Sequence, residues 1–282
     1  MVIFKRKRIK NFGFNSKNST YIIAEIGINH DGNLNTAKDL IRSAAKTGCD
    51  AVKFQTYKTE NRVKNKKSLI FDILKKCELK LEDFYTLKKF SKKNNIDFFS
   101  TPFDIESAKY LKNIGVNFFK IASFDVTNQV FLRKVARLRK PVIFSTGMCN
   151  LKEVSNAHKI FSRFTKKVTI MHCVSSYPLD PKNADLNCIK TLSNKFNCLI
   201  GYSDHTNSID VPLYAVAAGA QVIEKHYMIN KKMNCVDKAV SITEKDMKEM
   251  VKKIRFLENV LGSGSFQLRK SEKNIVQFRR KS

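Results

Sequence analysis

Short apolar runs alternate with amphipathic stretches along most of this chain. The runs are Tyr21–Ile26, Ala51–Gln55, Ile96–Ser100, Phe118–Ala122, Pro141–Ser145, Val168–Cys173, Leu199–Tyr202 and Gln221–Glu224. Each has the length and bounding residues of a buried strand. Between them, apolar residues fall at helical spacing over Thr36–Lys46, Leu81–Lys93, Glu106–Ile114, Gln129–Leu138, Leu151–Phe161, Asn187–Lys195 and Val211–Ala218. A last helix opens at Thr243, a hydroxyl N-cap followed by the acidic residues Glu244 and Asp246, which suit the positive end of a helix dipole. Strands alternating with helices through short connections predict a parallel sheet. Eight such repeats in about 240 residues predict an α/β fold of the (β/α)8 TIM-barrel type. A doubly wound open sheet is the competing topology, but no Gly-rich phosphate loop follows the first strand.

Polar residues collect where the strands end. They include Glu25 and Asn29, then Lys53 and Gln55, then Ser100 and Thr101, then Lys120 and Ser123. The later strands contribute Ser145, Thr146, His172, Ser175, Ser176, Ser203, Asp204, His205, Glu224 and His226. In a barrel all these ends share one face, where barrel enzymes place their chemistry. Strand ends are commonly polar, which explains the hydroxyls. It does not explain Lys53 and Lys120, each inside an apolar strand, where an unpaired charge is expensive.

Composition changes this picture little. The 282 residues are 43% hydrophobic, ordinary for a globular chain. No apolar run approaches the ~20 residues that span a bilayer. The basic start Met1–Lys10 lacks an apolar h-region, so no secretory signal is read. The seven Cys form no CxxC pair, which argues for buried thiols in a reducing, cytoplasmic setting. Net charge is +28, but the basic residues are spread over many helix faces without interleaved aromatics. No nucleic-acid role is therefore assigned; the positive field suits an anionic small molecule.

Side chains on a strand alternate faces, so Ser203 and His205 share a face, as do Glu224 and His226. Neighbouring strands would bring the two imidazoles together as an open half-site for a divalent metal. The two strand lysines, with hydroxyls at Thr101, Ser123, Ser145 and Ser203, make a site for a phosphate and a second anionic group such as a carboxylate. A phospho-carboxylate would then lie beside a carbonyl that the metal polarises. A lysine Schiff base of the aldolase type is the competing chemistry, though it has no need of a two-His metal.

Eight segments come in order: Ala24–Gly32, Val52–Thr56, Ser100–Phe103, Phe119–Ser123, Ser145–Met148, His172–Pro178, Gly201–Thr206 and Ile223–His226. Together, over roughly residues 20–264, the chain resembles the sialic acid synthase (N-acetylneuraminate synthase) family of nonulosonic acid synthases. The resemblance implies a transferase that condenses phosphoenolpyruvate with an N-acetylmannosamine-type sugar and releases phosphate. By position it implies phosphoenolpyruvate binding by Lys53, Thr101, Lys120, Ser123, Ser145 and Ser203, and a divalent metal on His205 and His226, usually Mn2+, with Mg2+ or Co2+ as substitutes. Gln55, Asp125, Tyr177 and Asp237 would face the sugar or the attacking water, and Glu25 would handle protons beside the two lysines. A homodimer is also implied.

Two departures leave the sugar open. Asn234–Lys238 retains only Asp237 of a usual Gly-Pro-Asp-His stretch. Phe124 and Asp125 resemble pseudaminic acid synthases, while His172–Pro178 resembles the sialic and legionaminic ones, which makes a diacetamido-trideoxyhexose the alternative substrate. The expected organisation is a basic leader over 1–18, a barrel over 19–262 and a basic linker or tail over 263–282. Family members continue there into an antifreeze-like (SAF) domain, whose arginine reaches the sugar's acyl group in the partner's site. Without that domain, a poorly active ligand-binding barrel is the reading from a different class, and Arg62 and the tail are the first places to seek a substitute.

Overall fold

The computed structural model describes residues 9–14, 16 and 19–280. Eight parallel strands close in sequence order into one barrel: β1 (Tyr21–Gly27), β2 (Ala51–Thr56), β3 (Asp97–Pro102), β4 (Phe119–Ile121), β5 (Val142–Ser145), β6 (Val168–Cys173), β7 (Leu199–Asp204) and β8 (Val222–His226). The barrel expectation holds, and the open sheet is excluded because β1 pairs with β8. The outer helices are α1 (Leu34–Lys46), α2 (Thr59–Arg62), α3 (Leu69–Cys77), α4 (Leu81–Lys93), α5 (Ile105–Asn113), α6 (Gln129–Ala136), α7 (Leu151–Ser162), α8 (Asn187–Lys195), α9 (Val211–Ala217) and α10 (Glu244–Leu261). Among the described residues, no helix is long and apolar enough to cross a membrane.

The period of two along each strand sorts the barrel interior into layers. Tyr21, Ile23, Ala51, Phe99, Phe118, Ile143, Met171, Leu199 and Val222 form one apolar cluster in its lower half. Two residues further along the same faces come Glu25, Lys53, Thr101, Lys120, Ser145, Cys173 and Glu224. The site floor is thus the next layer above a close-packed core. The other strand face packs on the helices, as Ile22, Ala24, Val52, Phe54 and Ile170 do.

The lower end is closed by chain that reads as part of a basic leader. Ile9 and Phe14 are buried in the inner cluster, and the Phe14 ring lies 4.8 Å from Phe118 and 4.7 Å from Tyr21. Burying a Phe side chain is worth roughly 1.5–3 kcal/mol, which is reason enough for these residues to seat against the barrel. Residues 263–280, in the expected tail, are almost wholly exposed, with 3-10 turns at Lys270–Glu272 and Val276–Phe278.

Local signals held where they rest on capping chemistry. Thr243 Oγ1 accepts from Asp246 N at 3.3 Å, and the Asp246 carboxylate accepts from Thr243 N at 3.2 Å, a reciprocal cap for α10. α2 and α3 are not among the expected helices. Ser68 caps α3 by accepting from Phe71 N, and Leu74 and Cys77 are buried beneath it. Its apolar residues Leu69, Ile70, Ile73, Leu74 and Cys77 do fall at helical spacing behind that cap.

Candidate active site

Register brings the chemistry together. Glu25 lies opposite Lys53 on β2 and opposite His226 on β8, and Ser203 lies opposite Glu224. Gln55 lies opposite Thr101. These residues line a cavity of about 370 Å³ at the C-terminal mouth of the barrel, within the usual size for a small-molecule site. Glu25, Lys53, Gln55, Thr101, Lys120, Ser123, Ser145, Tyr177, Ser203, His205, His226 and Asp237 all line it. Asp125 sits just behind the lining contributed by its neighbour Phe124, with Oδ2 buried and lacking a hydrogen-bond partner.

The two lysines are paired, by carboxylates on other strands. Lys53 Nζ lies 3.0 Å from Glu25 Oε1 and 3.6 Å from Glu224 Oε2, and donates to Thr101 Oγ1 at 3.1 Å. Lys120 Nζ lies 3.2 Å from Glu224 Oε1, which also accepts from Ser203 Oγ at 2.9 Å. Burial drives both lysines toward the neutral form. For Lys53, Glu224 and Glu25 outweigh burial and hold its ammonium above the ordinary range. For Lys120, burial and the repulsion of Lys53 outweigh Glu224, and its pKa falls. Glu224, between two cations, is held well below the usual carboxylate range despite burial. Glu25 moves upward, because burial and the neighbouring Glu224 outweigh Lys53. The floor thus carries a carboxyl that is easier to protonate beside one that stays ionised, a division suited to proton transfer.

Beside this floor lies a group of hydroxyls. Ser123 Oγ accepts from Gly147 N at 3.0 Å, while Ser145 Oγ and Ser175 Oγ are buried without partners. A Cβ on Gly147 would come within 2.1 Å of Ser175 Oγ, so a side chain there would have to displace that hydroxyl. Unsatisfied donors around a bare backbone suit the oxygens of an anion. Ser175 and Glu224 were both visible as polar strand-end residues, yet neither stands in the ligand set that the resemblance implies. The cue for Glu224 was its place two residues before His226 on an inward face.

His205 and His226 face each other with ring centres 5.6 Å apart, and the Tyr177 ring lies 4.1 Å from His205. His205 Nδ1 donates to Val174 O at 2.9 Å, which leaves Nε2 its lone pair. Burial and the neighbouring His226 push His205 down to about 3, so it is neutral, as a metal ligand must be. His226 Nδ1 is buried without a hydrogen bond, 3.4 Å from Asp237 Oδ2. Asn29 Oδ1 fixes the Asp237 backbone by accepting from its N–H at 2.9 Å. Among the described residues no group of three or more His, Cys, Asp or Glu is arranged as a metal cage. Two imidazoles and nearby carboxylates fit an open site completed by water or substrate.

Several strand-end residues stay out of the cavity lining: Asn29 bonds Tyr227 O, Ser100 bonds the Thr56 hydroxyl, Thr146 bonds Met171 O, and His172 and Asp204 turn outward. His172 bonds Ala184 O at 2.8 Å behind the barrel. Asp204 forms a fully buried ion pair with Lys225 at 2.6 Å, joined by Tyr202 and Thr206. These serve packing between β7, β8 and the loop that follows β7.

A model of the NeuB family matches residues 40–266. The chain belongs to the NeuB family. It is 39% identical to N,N'-diacetyllegionaminic acid synthase of Campylobacter jejuni, over 93% of this chain and 84% of that protein. It is 31% identical to human N-acetylneuraminate-9-phosphate synthase, over 88% of this chain and 73% of that one. Among solved structures, the N-acetylneuraminic acid (sialic acid) synthetase of Leptospira borgpetersenii superposes with a TM-score of 0.89 at 38% identity, covering 93% of this chain and 92% of that one. The chain is therefore an enzyme of the acid-synthase type found in this family, and the resemblance seen in the eight segments holds.

Proposed function

We propose that this enzyme condenses phosphoenolpyruvate with an N-acylated hexosamine of the N-acetylmannosamine type, forming a nonulosonic acid and phosphate. The observation that carries the reading is the pair of buried lysines, Lys53 and Lys120, on the cavity floor beside free hydroxyls and the two imidazoles. Lys53 and Lys120 take the carboxylate and phosphate charges, with Thr101, Ser123, Ser145 and Ser203 as donors. Bound in this way, the enol carbon faces the sugar's open-chain aldehyde. Attack forms the new C–C bond, and the aldehyde oxygen takes a proton. Water adds to the resulting oxocarbenium carbon and gives its proton to Glu25. The tetrahedral carbon then expels phosphate by C–O cleavage, leaving the keto acid. The lysines stabilise charge as it develops, where a preorganised cation is worth most. A divalent ion on His205 and His226, Mn2+ or in its place Mg2+ or Co2+, would polarise the aldehyde oxygen.

A second reading within this class takes a 2,4-diacetamido-trideoxyhexose as the sugar. It is favoured by the 39% identity to the legionaminic enzyme against 31% to the human one. Incubation with phosphoenolpyruvate, metal and a panel of acetamido sugars, followed by phosphate release and product mass, separates the two readings. No phosphate release with any sugar and any of the three metals would overturn both.

A further inference from the structure

Arg62 ends α2 and reaches into the cavity. Its guanidinium lies 3.6 Å over the Phe103 ring and 5.0 Å from the Tyr57 ring centre. Nη1 donates to Gln55 Oε1 at 2.9 Å. No carboxylate lies within ion-pair distance of it among the described residues, although Asp125 and Asp237 are near enough to act on its charge. A cation held by two aromatic faces and one amide keeps most of its N–H edge free. The bond to Gln55 also sets that amide, with Nε2 on the side of Gly27, where an added Cβ would lie 3.5 Å from it. The neighbouring cavity wall is apolar: Ile70, Ile73 and Leu74 of α3, and Phe103. Charge and wall together ask for a ligand group with a carbonyl oxygen and an attached hydrocarbon.

Lys53 stands two residues before Gln55 on the same strand face, so Arg62 works one layer above the phosphoenolpyruvate floor. The group it meets therefore belongs to the sugar. We infer that Arg62 is a specificity-determining residue that donates to the carbonyl oxygen of an acylamino substituent, whose alkyl end packs on α3. The inference rests on the proposed sugar class and adds the residue that reads it. A sugar phosphate is the competing guest for a guanidinium. One cation flanked by Asp125 and Asp237 and walled by hydrocarbon is a poor site for a dianion; a neutral amide fits it.

The test measures binding and turnover separately, on the full chain with metal present. N-acetylmannosamine, its free amine, its 6-phosphate and 2,4-diacetamido-2,4,6-trideoxymannose are titrated by calorimetry into wild type, Arg62→Met and Arg62→Lys. Wild type should prefer an acylated neutral sugar to the free amine. Arg62→Met should lose on the order of ten- to a hundredfold of that affinity, as for a charge-assisted hydrogen bond. Arg62→Lys should recover part of it. The phosphoenolpyruvate constant and the melting temperature should move little, which distinguishes lost recognition from lost fold. Equal affinity of Arg62→Met and wild type for both acylated sugars, or a wild type that favours the 6-phosphate or the free amine, would overturn the inference. So would a wild type that binds none of the four. Acyl-dependent binding that needs Arg62, without phosphate release from phosphoenolpyruvate, would overturn the reaction alone and leave the subsite standing.

Discussion

One carboxylate, that of Glu224, sits between two buried ammonium groups: Oε1 is 3.2 Å from Lys120 Nζ and Oε2 is 3.6 Å from Lys53 Nζ. It therefore neutralises the same cations that an anionic substrate would use. Removing one partner of a buried ion pair leaves the other charge uncompensated, at a cost of about 3–5 kcal/mol. Glu224→Gln should lower the melting temperature without ligand, and saturating phosphoenolpyruvate should narrow the gap to wild type. An equal deficit with and without phosphoenolpyruvate would show that the anion does not take over the role of Glu224.

Lys53→Met and Lys120→Met should each raise the apparent constant for phosphoenolpyruvate tenfold or more, since a hydrogen bond to a charged group is worth roughly 1.5–3 kcal/mol. The constant for the sugar should move far less. Steady-state kinetics varying each substrate checks this. A larger shift in the sugar constant, or an imine trapped by borohydride, would favour the Schiff-base chemistry instead.

His205→Ala and His226→Ala should each abolish metal-dependent turnover and weaken Mn2+ binding, with little change in melting temperature of the metal-free protein. Chelation should silence the wild type, and metal add-back should restore it. Full activity of either variant after chelation and add-back would remove the metal from these residues.

Asp125 carries a different signature. Burial raises its carboxyl to about 6 from the usual 3.8, against the opposing pull of Arg62. A carboxyl with a raised folded pKa destabilises the fold when ionised, so its penalty is present above pH 6 and disappears as pH falls toward 4. Discounted for partial exposure, the penalty is on the order of 1–2 kcal/mol. Asp125→Asn should therefore be more stable than wild type at pH 8 and equal to it near pH 4, by chemical denaturation at both values. A variant less stable than wild type at pH 8 would show that the ionised carboxylate has a stabilising partner.

Much of the barrel was legible because its signals are local. The eight apolar runs all appear as strands, with ends shifted by a residue or two: Phe118–Ala122 shortens to Phe119–Ile121, and Leu199–Tyr202 lengthens to Asp204. The inward series Glu25, Lys53, Thr101, Lys120, Ser203, Glu224 follows from alternation along each strand, a property of the backbone alone. α3 went unread because it interrupts the strand–helix alternation between β2 and α4. The Ile9–Phe14 segment lies in a stretch whose basic residues mask an apolar pair that only the open end of a barrel can bury.

By itself the sequence determined the fold class, the faces of the strands, and most of the polar residues that line the cavity, but not its apolar wall on α3. Tertiary structure alone decided how those residues are paired. Lys120 and Glu224 are 104 positions apart, and their contact depends on barrel closure and on the register of several strands. It also decided that Arg62, from a short helix outside the strands, points into the cavity. Periodicity fixes which side of a strand a residue takes. Only closure of the sheet sets which charges then meet, and so which are free for a ligand.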